Sequence, residues 1–281
     1  MTETTSGEQS SSDVSMLLAV YAGDEPADVD TALESVFWQT HQPTEVVLVQ
    51  DGPVGEELTA VIEDWTQEYP EIIRTVELAE NQGLGRALQA GIKHCSCELV
   101  ARMDADDISV PTRLEKQVAF MNAHPDVDVV GGHIAEFSDD PEQIEAVRTV
   151  PTDPETAAES APYRCPLNHP TVMYRKSTIL AAGGYGDRRS MQDHELWIRL
   201  LDHGYTLTNL DDVLVKARAG ADLYDRRGGI DYARTEFLLY YEFLQSGYIS
   251  LRTFLINVLS RIPVRLAPRP VRGFIYNHLL R

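Results

Sequence analysis

Residues 98–107 read ELVARMDADD, an apolar run that stops on three aspartates, Asp104, Asp106 and Asp107, within four positions. Read as a buried strand, the run delivers its charge to the strand's carboxyl end. That much negative charge in one place implies a positive partner among the carboxylates. Side chains two apart on an extended segment point the same way, so Asp104 and Asp106 are expected to converge on one cation while Ala105 points away. Hard divalent ions such as Mg²⁺ or Mn²⁺ take oxygen ligands and complete their shell with substrate phosphates. The competing reading is a solvated turn in which Asp107 or Ser109 caps the next helix. Pro111 in a first turn and Leu114, Val118 and Met121 on one face signal that helix.

Outward from this stretch, short apolar runs alternate with helical patterns: MLLAVY from residue 16, DVDTALESVFWQ, EVVLVQDG, EELTAVIEDW, IIRTVEL, GLGRALQAGIKH, and then ELVARMD. This is the pattern of β-α-β units, which predicts an α/β fold with a largely parallel sheet covered by helices on both faces. Ligands of such sheets sit outside the carboxyl ends of the strands. Asp51, followed by Gly52 and Pro53, crowns one strand end there, and the three aspartates crown another. Beyond residue 125, DVDVVGG and NHPTVMY read as strands, and DHELWIRLLDHG as a helix ending at Gly204. The domain is expected to run over residues 14–220. Residues 221–281 form a helical appendage in which Phe237, Tyr240, Tyr241 and Leu244 share one stripe.

Composition narrows the function classes. The 281 residues are 43% hydrophobic, enough for one large domain with an appendage. Residues 1–13 carry almost no apolar side chains and no signal-peptide blocks, so they are expected to form a disordered polar tail on a cytoplasmic protein. Three cysteines, Cys95, Cys97 and Cys165, offer neither a disulfide framework nor a structural zinc site. The net charge of −20 argues against nucleic acid as a partner. With only Lys93, Lys116, Lys176 and Lys216 against twenty arginines, the acidic surface suits concentrated salt, a halophilic setting in which repulsion is screened within ~3 Å at 1 M.

Six landmarks in order, VYAGDEPADVDTALESVFWQT, EVVLVQDGP, NQGLGRALQAGI, ARMDADDISVPTRLEKQ, NHPTVMYRKS and QDHELWIRL, resemble the family 2 glycosyltransferases over roughly residues 16–220. The resemblance implies the GT-A fold and an enzyme that moves a sugar from a nucleoside diphosphate to an acceptor. It implies that Ala22, Asp24 and Asp51 surround the donor's nucleoside, with Asp51 accepting from the base; Glu25 is the alternative to Asp24, and a plain turn aspartate the alternative reading of Asp51. In NQGLGRALQAGI, Asn81, Gly83 and Arg86 are candidates for the donor diphosphate, on a helix N-terminus that favours anions. The family's DxD signature falls on Asp104 and Asp106, which would hold a divalent metal (Mn or Mg) and, through Asp104, the donor. An acidic pair at a helix start usually supplies the base. Here it reads Gln192-Asp193, a departure at the first position that leaves Asp193 as base, as helix cap, or as both. His169 and Trp197 match the acceptor side, with a buried histidine and a core aromatic as alternatives, and Arg218 is a further candidate for the donor phosphates.

The implied activity is inverting, metal-dependent transfer from a nucleoside-diphosphate sugar, with a UDP-sugar favoured, to a glycan or lipid-linked acceptor in surface polysaccharide or protein glycan assembly. Two rivals stand beside it: a sugar-nucleotide pyrophosphorylase, which needs a basic glycine-rich loop where this chain has the acidic VYAGDEPAD, and a non-catalytic carbohydrate- or divalent-metal-binding module. No acid follows Glu242, whereas Arg252, Arg261, Arg265, Arg269, Arg272 and Arg281 do. Leu251, Phe254, Leu255, Val258, Leu259 and Ile262 form an apolar stripe before a break at IPVRLAPRP, and Val271, Phe274, Ile275 and His278 form a shorter one. Neither approaches the ~20 apolar residues of a membrane span. The tail is expected to lie on the inner face of the cell membrane, or else to pack on the domain.

Overall fold

The computed structural model describes residues 12–218 and 228–268. The tail expected at the N-terminus and the stripe from Val271 to His278 lie largely or wholly outside them.

The first half is built of parallel strands and covering helices. Strand β1 (Val14–Val20) lies between β2 (Glu45–Gln50) and β4 (Leu99–Arg102), with β3 (Ile73–Glu77) beyond β2, all parallel. The period-two alternation of β1 divides the core. Met16, Leu18 and Val20 face one side with Val29, Leu33 and Val36 of helix α1 (Pro26–Phe37). Leu17 faces the other, with Ala87, Leu88 and Ile92 of α3 (Leu84–His94). Helix α2 (Glu56–Glu68) connects β2 to β3 and adds Leu58 and Ile62 to the first side.

The second half departs from parallel pairing. After β4 come β5 (Ile108–Ser109), α4 (Arg113–Ala123), β6 (Val129–Phe137), β7 (Ala146–Arg148), α5 (Pro154–Ser160), β8 (Met173–Arg175), α6 (Lys176–Ala181), α7 (Gln192–Asp202) and β9 (Leu207–Arg218). The sheet runs β3-β2-β1-β4-β8-β6-β9-β5, with β7 on β6; β8 is antiparallel to both neighbours and β5 antiparallel to β9. The strand order turns back at β1, so the loops after β1, β2 and β4 open into one crevice, where ligands of such sheets bind.

Two helices follow, α8 (Ile230–Gln245) and α9 (Leu251–Leu266), packed against each other as a hairpin. They rest on the domain through Ala161 and Ile198, which share a cluster with Leu239, Tyr240, Phe243 and Phe254. The stripe expected on α8 is corrected: the buried face is Ala233, Glu236, Leu239, Tyr240 and Phe243, while Phe237 and Tyr241 are exposed. The break falls inside IPVRLAPRP, though not at its first proline: α9 runs through Pro263 to Leu266 and ends at Ala267. Among the described residues no helix is long and apolar enough to cross a membrane.

Candidate active site

Beyond β1, Asp24 Oδ2 accepts from the Tyr21 N–H at 2.9 Å, beside exposed Ala22. Burial drives the Asp24 carboxyl up to about 6; the Tyr21 N–H opposes the shift and the charges of Asp106, Asp104 and Asp28 add to it. Beyond β2, buried Asp51 accepts from the Gln82 N–H at 2.7 Å and the Gly83 N–H at 2.8 Å, and so holds the loop that carries exposed Asn81. Gly83, at φ +90°, is the residue before α3. A Cβ on Gly85 would lie 2.4 Å from the Gly186 carbonyl oxygen. The glycine therefore serves a close approach between two loops of the protein. Arg86 extends outward to Asp187 at 3.4 Å, and both are exposed.

Beyond β4 the three aspartates are not extended. Asp104 to Asp107 form a turn closed by the Asp107 N–H on the Asp104 carbonyl at 3.4 Å, with Ala105 tucked into the core. Asp104 is gripped by both terminal nitrogens of Arg102, one at 3.0 Å; that arginine is 1% exposed. Asp107 is buried and accepts from the Arg218 N–H at 3.0 Å, tying the turn to β9. Burial, then Asp104 and Asp106, pushes its carboxyl well above the usual range. Neither Asp107 nor Ser109 caps a helix: Ser109 belongs to β5, and Thr112 precedes α4.

Among the described residues no three or more His, Cys, Asp or Glu side chains enclose a metal by themselves. The donor set still fits Mg²⁺ or Mn²⁺, which keep one or two protein carboxylates and take phosphate and water for the rest. Burial is the larger cause of the rise at Asp24 and Asp107, but the charges of Asp104 and Asp106 add to it at both, and that repulsion is what a cation would relieve. Asp104 and Asp106 would hold it.

Across the crevice, Asp193 is the second residue of α7. The position before the helix is Met191, at φ +60° the one non-glycine with positive φ among the described residues. Asp193 thus lies in the first turn, where the helix dipole favours a carboxylate, and is not the cap. Cys165 Sγ donates to its Oδ2 at 3.6 Å. Burial alone would raise this carboxyl, but the His169 and His194 rings, the His194 N–H and Arg102 outweigh it and hold it below the usual range.

His169 is buried, with Nε2 3.0 Å from Tyr185 Oη, and burial followed by the charge of Arg102 drives it down to about 3. It is therefore an uncharged ring at neutral pH. Trp197 is 0% exposed and edge-on to His169 at 6.0 Å. That corrects its expected place lining the acceptor site: it supports His169 from within the core. Arg218 is corrected as well. Its guanidinium is committed to Asp28 at 2.5 Å and the Ser138 carbonyl at 3.2 Å and lies over the Phe137 ring, which draws it toward α1 and away from a phosphate role.

The residue that sequence reasoning missed is Arg102. It grips Asp104 and also acts electrostatically on His169 and Asp193, so it joins the two sides of the crevice. The available signal was a charged residue inside a strand otherwise made of Leu99, Val100 and Ala101. Tyr185 and Cys165 had no comparable signal.

A family model, glycosyl transferase family 2, matches residues 18–179. The chain is 37% identical over 267 residues to UDP-Gal:alpha-D-GlcNAc-diphosphoundecaprenol beta-1,3-galactosyltransferase of Escherichia coli, covering 95% of this chain and 96% of that one. It is 39% identical over 266 residues to the amylovoran biosynthesis glycosyltransferase AmsE of Erwinia amylovora, covering 93% and 97%. Among solved structures, TarS 1–349 of S. aureus in complex with UDP-GlcNAc superposes with a TM-score of 0.64 at 17% identity over 96% of this chain and 76% of that one. The mannosyltransferase PcManGT of Pyrobaculum calidifontis, in complex with GDP-Man and Mn²⁺, superposes with a TM-score of 0.61 at 16% identity over 94% and 78%. These likenesses fix the architecture as GT-A. Family match, near-full-length relatives and a shared fold together make this chain a member of glycosyl transferase family 2, and a glycosyltransferase.

Proposed function

We propose that the protein is an inverting, metal-dependent transferase that moves the sugar of a UDP-sugar to a hydroxyl of a lipid-linked or glycan acceptor at the inner face of the cell membrane. The observation that carries this reading is buried Arg102, which grips Asp104 in one carboxylate group, the aspartate turn after β4, and whose charge also reaches a second, Asp193. One suits a diphosphate leaving group with its cation, the other an acceptor hydroxyl. The E. coli relative acts, by its name, with UDP-Gal on a diphosphoundecaprenol-linked sugar, which supports the donor and the acceptor class.

In this reading Ala22 and Asp24 border the donor's nucleoside. Each Asp51 oxygen keeps a lone pair for a base N–H beyond the amide it already accepts. Asp104 and Asp106 face the diphosphate, where a divalent cation would offset the charge of the departing group. The acceptor hydroxyl hydrogen-bonds to Asp193, its oxygen attacks the anomeric carbon opposite the diphosphate, and its proton passes to the carboxylate. The bond to the diphosphate breaks with the electron pair leaving on the phosphate oxygen. A single displacement inverts the anomeric centre. His169, being neutral, brings no charge that would compete for Asp193.

The test is UDP release from UDP-sugars with Mn²⁺ and with chelator, with product stereochemistry read by NMR. Inversion and loss of turnover in chelator are expected; retention, or turnover indifferent to chelator, would sink the mechanism. A thermal-shift panel of UDP-, GDP- and dTDP-sugars identifies the base, since a ligand at 100 times its Kd adds ~2.7 kcal/mol.

A further inference from the structure

The α8–α9 hairpin is strapped to the structures that carry the base. Asn257 Nδ2 donates to the Pro162 carbonyl at 2.9 Å, and Tyr240 Oη to the Tyr163 carbonyl at 3.3 Å, which Arg261 also binds. Two residues on is Cys165, the thiol on Asp193. Glu242 of α8 pairs with Arg188 in the loop that runs into Asp193's helix. That helix itself turns His194 edge-on to Tyr240 and Phe243. Both segments flanking Asp193, and its helix, thus lean on one hairpin.

The opposite face of α9 has no such use. Leu251 is 60% exposed, Leu259 72% and Leu266 53%, with Leu255 exposed between them, and these positions fall on one face of the helix. Phe237 and Tyr241 of α8 are also exposed, and both rings touch Phe254 of α9, which places them next to that face. The packing uses Phe254, Asn257 and Arg265, so the stripe read in the sequence is left open in part. Its setting is basic: no acid follows Glu242, Arg252 is exposed, and Arg269, Arg272 and Arg281 continue the chain beyond the described residues. An anionic lipid headgroup layer complements the charge, and its acyl boundary complements the leucines.

We propose that the α8–α9 hairpin is a docking face for an anionic lipid bilayer, which sets the acceptor mouth at Asp193 beside the surface from which a lipid-borne acceptor arrives. This rests on the reading of Asp193 and of the acceptor given above, whereas the docking itself is measured without either.

The experiment is flotation of the full chain with phosphatidylglycerol vesicles and with phosphatidylcholine vesicles, at 0.15 M and at 2 M KCl, beside the double variant Leu255→Asp/Leu259→Asp. Both leucines are exposed, so the variant is expected to keep its melting temperature and its donor binding, followed by UDP titration. The intact chain should float with the anionic vesicles at both salt concentrations. The variant's partition should fall at least about tenfold, because two apolar anchors become charged. Equal flotation of chain and variant, or no flotation of the intact chain, overturns the proposal. So does a dimer, seen by light scattering, that the variant abolishes without any vesicle binding. Failure to bind UDP leaves the flotation result standing and counts against the proposed transferase reading instead.

Discussion

Asp24 and Asp107 are both driven toward their neutral forms by burial and by neighbouring aspartates, so one carboxylate fewer in the cluster relieves repulsion. Asp106→Asn is therefore expected to leave the melting temperature unchanged or slightly higher while transfer falls roughly 10²-fold or more, the scale of losing one strong electrostatic contact to a leaving group. Comparable loss of both would mean that Asp106 is structural. Asp24 provides a pH signature. Its carboxyl ordinarily titrates near 3.8 and in the fold at about 6, so the unfolded chain binds fewer protons between those values. The sign is then fixed: this group's contribution to stability is full below about pH 4 and is lost as pH rises through 6. Asp24→Asn should flatten the fall in melting temperature over that window, read as the difference between the two curves; superimposable curves would refute the raised value. Asp193 works the other way, being held ionised. Asp193→Asn keeps its place in the first turn but loses proton affinity, so turnover should fall ~10²- to 10⁴-fold with UDP binding preserved. Near-normal turnover would leave Asp193 a helix residue only.

The elements that position these side chains were unevenly legible. Strands β1 to β4 and their helices stand out in the sequence because buried parallel strands are written as continuous apolar runs, such as Met16 to Val20, punctuated by glycine and proline. The aspartate turn was located but its shape was not. A two-residue strand such as β5 has no periodicity to read, and its pairing with β9 is what bends the chain at Asp107. The same limit hid the close contact of the two site loops, made by backbone. Gly85 presses on the Gly186 carbonyl, a contact between positions a hundred residues apart that nothing local announces. It makes a direct prediction. In Gly85→Ala the new methyl meets a carbonyl that cannot rotate away, so the loop carrying Gly83 and the loop before α7 must separate. A cost of ~1–3 kcal/mol is expected, with weaker UDP binding. Unchanged thermal unfolding together with unchanged UDP titration would show that the loops part freely. In the hairpin the apolar periodicity of α9 was legible, but the face used for packing was not, because buried Glu236 with Arg261 and Arg265 supplies it with polar partners that a hydrophobic pattern cannot register.

At the scale of the whole molecule the governing quantity is the charge of −20 carried with only four lysines. Most of the acids belong to the body, and none follows Glu242, so the folded domain concentrates like charge that the unfolded chain spreads out. Lowering that repulsion should stabilise the fold. The Debye length shrinks from ~10 Å at 0.1 M to ~3 Å at 1 M, so screening is largely complete within that range, whereas preferential exclusion of a salt from the surface continues to grow with concentration. The two effects therefore separate in one titration. Melting temperature in KCl should climb steeply up to about 1 M and then level off if repulsion dominates; a straight rise to 3 M would assign the effect to salt exclusion, and a flat or falling curve would remove the case for adaptation to concentrated salt. Replacing several exposed acids remote from the crevice, such as Glu57, Glu63 and Glu71, with glutamine should reproduce part of the low-salt gain without added KCl. If those substitutions leave the low-salt melting temperature where it was, the acidic surface is not what limits stability, and the shortage of lysine needs another cause.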